Sequence, residues 1–341
     1  MKKTIIAVIA FAFLLGVMSV SAKENKEPKA VDVKIHKKQL ISGEERKALD
    51  EAAKGKSAGN TISSKTFKPL ATGVLGQPIS SGGQRYAIVV GLANYSGTAN
   101  DLCVPAAKTE LENPTTTDGL AFYCQDEDAL NMKTALEGFG YASINHLRDY
   151  QATRENIMSA MEALKPIVGP NDEVVFFFSG HGTSGKLLTY TDGETIDEGI
   201  YTYNDKIIWD DELKIWADSL NVNRMVFIFD TCLAGGMNDL AKNNRVLAMS
   251  SGETQNSYTY YLGGTQTDTN VFQESEGLFA HYFVKRGMIN ELADGSNLAK
   301  YLNGTVEVEE AFSYAYPIVK VNQTPVLNDK FYNDFLLGYS L

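Results

Sequence analysis

Two textures alternate along most of this chain. Short apolar runs, "YAIVVG" (86–91), "VVFFF" (174–178), "MVFIF" (225–229) and "VLAM" (246–249), are rich in β-branched and aromatic residues and carry no polar alternation. Runs of that length and texture predict strands covered on both faces, as in a parallel sheet. Between them lie helical patterns. "DEDALNMKTALEGFGY" (126–141) opens on acidic residues, carries Leu130, Met132 and Leu136, and stops at glycine. "TRENIMSAMEAL" (153–164) offers Thr153 as N-cap, with Ile157, Met161 and Leu164 on one face, and "WDDELKIWADSL" (209–220) repeats the plan. Strands alternating with helices of this size predict βαβ units, right-handed crossovers and an open, mostly parallel α/β sheet.

The pattern is different before residue 80. Lys2 and Lys3 precede an apolar run from Thr4 to Val17, and Val20-Ser21-Ala22 forms a small-residue cleavage site. The run is shorter than the ~20 residues a membrane span needs. It reads as a signal peptide over residues 1–22, so a periplasmic or secreted protein is expected, with no stable membrane insertion after signal removal. Residues 23–68 hold 12 Lys+Arg against 7 Asp+Glu, whereas residues 69–341 carry a net charge of −18. A basic leader before an acidic body reads either as a solvated tether or as a pro-segment held over an acidic cleft by complementary charge. With a linker-like stretch at 70–84, the expected organisation is signal peptide 1–22, basic pro-segment or linker 23–80, and α/β domain 81–341. So acidic a body argues against nucleic acid as partner, because phosphate binding needs a basic face.

Two of the apolar runs end on reactive side chains: "FFFSGHG" delivers His181 and "FIFDTC" delivers Cys232, 51 residues later. In open α/β sheets, ligands bind outside the carboxyl ends of the strands. If the two strands are neighbours, imidazole and thiol meet there, and the imidazole can take the proton of the nucleophile and return it to a leaving amine. The backbone N–H groups of Gly182 and Cys232 are then the expected oxyanion donors. Asp230 lies two before Cys232, on the same strand face, where a carboxylate can pair with a substrate guanidinium or ammonium; its plainer reading is a turn or helix-cap acid. The three cysteines, Cys103, Cys124 and Cys232, make an odd count that in an exported chain implies one disulfide and one free thiol.

At these residues the sequence resembles the caspase-like cysteine peptidases, and the metacaspase branch more than the animal caspases. "FFFSGHGT" is similar to the branch's Ser-Gly-His-Gly signature and "IFDTCLAGG" to its Asp-Ser-Cys-x-x-Gly. "YAIVVGLANY", "DALNMKTALEGFGY", "TRENI", "DDEL" and "NQTPVL" follow in the family's order, so the likeness covers about residues 85–330. The resemblance implies a caspase-like sandwich with a mostly parallel six-stranded sheet flanked by helices. It also implies peptide-bond hydrolysis by a Cys232/His181 dyad after arginine or lysine, with a peptide or protein as substrate. It would place Ser179 and Asp128 in the pocket with Asp230. "CQDEDA" is one residue longer than the family's Cys-x-x-Asp-Ala, so Asp126 stands as an equal candidate. Cys103–Cys124 is the favoured disulfide, although the family places a cysteine like Cys124 beside the pocket. Some metacaspases need calcium, and the acidic loop 191–205 offers Asp192, Glu194, Asp197 and Glu198 as hard oxygen ligands. They lack EF-hand spacing, a solvated loop is the plainer reading, and no cofactor is required. No zinc-ligand spacing and no G-x-S-x-G elbow occurs. Two other readings keep the fold: a catalytically silent peptide-binding adaptor, and a ligase using the same dyad. Arg85, Lys68, Lys65 and the 242–245 stretch are expected points of self-cleavage.

Overall fold

A computed structural model describes residues 26–54, 76–95, 100–102, 121–188, 194–266, 270–297, 300 and 302–337. Six strands of the described residues form the central sheet: β3 (Arg85–Gly91), β5 (Ser143–Arg148), β6 (Glu173–Ser179), β10 (Arg224–Asp230), β11 (Arg245–Met249) and β14 (Val326–Asp329). Their order is β14-β11-β10-β6-β3-β5, and all neighbours are parallel except β14, which closes one edge antiparallel to β11. This is the mostly parallel α/β sheet that the apolar runs predict.

Every residue of β6 and β10 is buried, which explains why these segments carry no polar alternation. Phe176, Phe178, Phe227 and Phe229 face one helical layer, α3 (Arg154–Leu164) and α4 (Asp210–Asp218), through Ile157, Met161, Leu213 and Trp216. The alternate residues Val175, Phe177, Val226 and Ile228 face the other layer. That layer comprises α2 (Asp128–Gly138), the helix Leu278–Ala280 that runs on as the π-helical segment His281–Ile289, and α5 (Val308–Val319). Thr153 caps α3 as expected, its hydroxyl accepting from the Asn156 N–H (3.2 Å).

Two smaller sheets flank the carboxyl edge of the central one. β1 (Ala30–His36), β7 (Gly182–Leu187), β8 (Asp197–Tyr201) and β9 (Ile207–Trp209) lie in that order on one side. On the other, the order is β2 (Gln39–Leu40), β12 (Tyr258–Gln266), β13 (Asn270–Gly277) and β4 (Ala121–Asp126). The N-terminal segment therefore gives one strand to each small sheet and crosses the space between them at Lys37 and Lys38. It continues as α1 (Gly43–Lys54), which buries Leu49 and Ala53. Among the described residues no helix is long and apolar enough to cross a membrane, and residues 1–25, including the expected signal peptide, lie outside them.

Candidate active site

Strand register sets the site. β10 pairs with β6 so that Asp230 lies opposite Ser179. Two residues further on, each strand end presents its reactive group, Cys232 and His181. The backbones touch there: a Cβ placed on Gly182 would lie 2.0 Å from the Cys232 carbonyl oxygen. Only glycine lets the β7 strand pass so close behind Cys232.

The imidazole of His181 is fixed on three sides. Its ring stacks on Tyr95, with centroids 4.8 Å apart and planes at 11°, and the Tyr95 hydroxyl accepts from the His181 N–H (2.6 Å). Nε2 lies 2.6 Å from the Asn100 carbonyl, which can only accept, so Nε2 carries the ring hydrogen. Nδ1 is then the free base, and here it accepts the Lys38 backbone N–H (3.1 Å). Cys232 Sγ accepts from the Ser257 N–H (3.2 Å). Both groups are only 1% exposed. Burial pushes the Cys232 thiol up to about 12, against the Ser257 N–H that favours thiolate. Burial also pulls His181 down to about 3, with Lys38 and Lys37 adding to the effect and the Asn100 contact opposing it. In this closed arrangement the pair is a neutral thiol and a neutral imidazole.

A second set of groups surrounds one ammonium. Lys38 Nζ lies 3.1 Å from Asp230 Oδ1 and 3.8 Å from Asp128 Oδ2, and donates to Ser179 Oγ (2.8 Å). The carboxylates are held in turn. Asp230 accepts from Ser257 Oγ (2.8 Å) and the Ala280 N–H (2.8 Å), while Asp128 accepts from the Gly277 N–H (2.9 Å) and Ser179 Oγ (2.5 Å). Gly277 forms the pocket wall: a Cβ there would lie 2.2 Å from Asp230 Oδ2 and 2.7 Å from Lys38 Nζ. Burial disfavours the Lys38 charge, but Asp230 and Asp128 outweigh it and raise its pKa. Burial, with the Asp230 charge adding to it, raises Asp128 to about 7, against the pull of Lys38. These groups thus enclose one cation, the Lys38 ammonium.

Ser179, Asp128 and Asp230 converge on that pocket, and His181, Gly182 and Cys232 on the adjoining strand ends. Asp126 takes a different position: its Oδ2 accepts from the Ala129 N–H (2.9 Å) at the start of α2. Of the acidic loop residues, Glu194 and Glu198 bring carboxylate oxygens within 4.8 Å of each other and of Asp210. Burial raises Glu198 to about 8 and Asp210 to about 9. Asp197 instead accepts from the Leu187 N–H (2.8 Å), and Asp192 lies outside the described residues. Cys124 is disulfide-bonded and Cys232 free, and Cys103 lies outside the described residues. Sequence reading missed Lys38, Tyr95, Ser257 and Gly277. Lys38 alone left a signal, as one of many cations in the basic leader.

Residues 123–241, which include both strand ends, match the family described as metacaspase, peptidase C14 domain. Over that stretch the chain is similar to the metacaspase branch of the caspase-like peptidases. It is 31% identical over 174 residues to Metacaspase-1 of Meyerozyma guilliermondii, covering 46% of this chain and 37% of that protein. Metacaspase-1 of Schizosaccharomyces pombe is 28% identical over 200 residues, 57% of this chain and 40% of its own length. Metacaspase-1 of Pyricularia oryzae is 36% identical over 130 residues, covering 37% and 29%. The chain thus spans at most 40% of the length of these three relatives.

Proposed function

We propose that this protein is a cysteine endopeptidase that cleaves after lysine or arginine and is made as an exported precursor. The observation that carries the specificity is the Lys38 ammonium, seated 3.1 Å from Asp230 and hydrogen-bonded to Ser179 in a pocket beside the dyad. A substrate lysine or arginine would take the same place, the guanidinium matching two carboxylates especially well.

With that side chain in the pocket, Nδ1 of His181 takes the Cys232 proton and Sγ bonds to the carbonyl carbon of the pocket residue. The carbonyl electron pair moves to oxygen, facing the backbone N–H groups of Gly182 and Cys232. Collapse of the intermediate breaks the C–N bond, and the proton held on Nδ1 passes to the leaving nitrogen. A water molecule then attacks the thioester, giving its proton to Nδ1; the C–S bond breaks and the thiol is restored. Throughout, the Asn100 carbonyl holds the Nε2 hydrogen and stabilises the imidazolium between steps.

Cys232→Ala is expected to abolish hydrolysis of peptide reporters ending in arginine or lysine. Asp230→Ala should lower it by about 100-fold, the scale of losing one partner of a buried charge pair. Undiminished turnover by Cys232→Ala would refute the mechanism. Equal loss on basic and norleucine reporters in Asp230→Ala would refute the pocket.

A further inference from the structure

The N-terminal segment lies across the dyad like a substrate, but its chain polarity is wrong for cleavage. For the Lys38–Gln39 bond to break, the leaving nitrogen, that of Gln39, must face the imidazole. Gln39 N–H instead donates to the Ser257 carbonyl (2.9 Å), on the far side of the cleft. The amide that meets Nδ1 is that of Lys38 itself, which precedes the pocket residue. The bond next to the catalytic base is therefore Lys37–Lys38, whose acyl side chain, Lys37, is exposed, while the pocket holds the side chain on the amine side. Neither bond has both a filled pocket and a correctly placed leaving nitrogen.

Anchors on both sides hold this arrangement. β1 pairs antiparallel with β7, directly after His181, and His36 Nε2 lies 2.8 Å from Ser184 Oγ. β2 pairs in parallel with Tyr258 and Thr259 of β12, and the Ile41 N–H donates to the Thr259 carbonyl (2.9 Å). Ile41 is buried. Beyond it, Arg46 of α1 sits 3.9 Å over the Tyr260 ring, and the Tyr282 hydroxyl donates to Asp50 (3.0 Å).

We propose that residues 30–54 are a built-in inhibitor that seats Lys38 in the specificity pocket in reverse polarity, capping the catalytic imidazole while presenting no cleavable bond. The proposal rests on the pocket and dyad assigned above. It adds that this segment leaves the cleft intact, by displacement or by a cut elsewhere, and is not removed by hydrolysis at Lys38–Gln39. Of the expected self-cleavage points, Lys65 and Lys68 lie outside the described residues.

The test uses the full chain and the alkylation rate of Cys232, a readout independent of substrate preference. Lys38→Ala is expected to raise iodoacetamide labelling at Cys232 by about 10-fold or more, as the open population grows, while Lys38→Arg stays masked. The paired variant Arg46→Ala/Asp50→Ala, which leaves the pocket untouched, should unmask the thiol in the same direction. Mass spectrometry of the wild type after long incubation should find the 38–39 bond whole. Wild-type labelling rates in both unmasking variants would overturn the inhibitor, as would a cut after Lys38 that Cys232→Ala lacks. A Lys38→Ala chain that labels rapidly yet cleaves no basic reporter would uphold the inhibitor and refute the proposed specificity, so the two failures are separable.

Discussion

β10 and β1 are both seven-residue strands that border the active site, yet they are held by opposite means. All seven residues of β10 are buried, and its phenylalanines interlock with those of β6. In β1 only the end residues are partly covered, and Val31, Val33 and Ile35 are 41%, 42% and 37% exposed. β10 is fixed by apolar burial that nothing short of unfolding would release. β1 is held by its backbone ladder to β7 and the His36–Ser184 contact, and its continuation by a few directed contacts, at Lys38, Ile41, Arg46 and Asp50. The proposed chemistry belongs to the firmly held part, and the proposed mask to the part with fewer buried contacts.

The contrast has a steep and a shallow side. Phe177→Ala, which empties a fully buried position on one face of β6, is expected to cost about 3–5 kcal/mol in denaturant unfolding. Val33→Ala on β1 should cost less than about 0.5 kcal/mol, as surface changes do. Similar losses at the two positions would erase the distinction.

A smaller effect concerns the clamp on α1. His281 faces Glu276 (3.0 Å from Nδ1) and Asp50 (3.8 Å from Nε2), with Arg46 opposing its charge and Tyr260 and Tyr282 edge-on to its ring. Lys285 and Arg286 neutralise Glu276 and Asp50 from the other side, at 3.2 and 3.7 Å. Burial works against the imidazolium, but the two carboxylates outweigh it and raise its pKa above 6.5. The protonated ring therefore contributes fully below 6.5 and its contribution fades as pH rises through the raised value. On the acid side, Asp50, lowered to about 2 chiefly by His281, keeps its charge until pH falls toward that value. The melting-temperature advantage of the wild type over His281→Gln should be widest near pH 5 to 6 and shrink by a few degrees toward pH 9, roughly the scale of one lost ion pair. A gap that widens with pH would contradict this assignment.

How much of this was legible in the sequence depended on whether the determinant was local. The strands β3, β6, β10 and β11, the helices α2 to α4 and the Thr153 cap follow from runs and periodicities within a dozen residues. His181 and Cys232 stood out because each ends a strand of that kind. The pocket was less legible. Asp128 and Asp126 both fit the spacing, and only the start of α2 sends one to Ser179 and uses the other on the Ala129 N–H. Gly277 ends β13 and Ser257 directly precedes β12, strands whose place is set far along the chain, and β4 meets β13 across about 150 residues, beyond any periodic signal. The basic leader and acidic body foreshadow attraction, but net charge does not single out Lys38 from its neighbours Lys34 and Lys37.

The most direct test of the central claim is covalent titration of the Lys38→Ala chain with a lysyl chloromethyl ketone peptide, followed by peptide mapping. A single adduct on Cys232 is expected, formed at least about 100-fold faster than with the norleucyl analogue, the scale of one buried charge pair, and slowed sharply when Lys38 is restored. Equal rates for the two reagents, or labelling away from Cys232, would contradict the account.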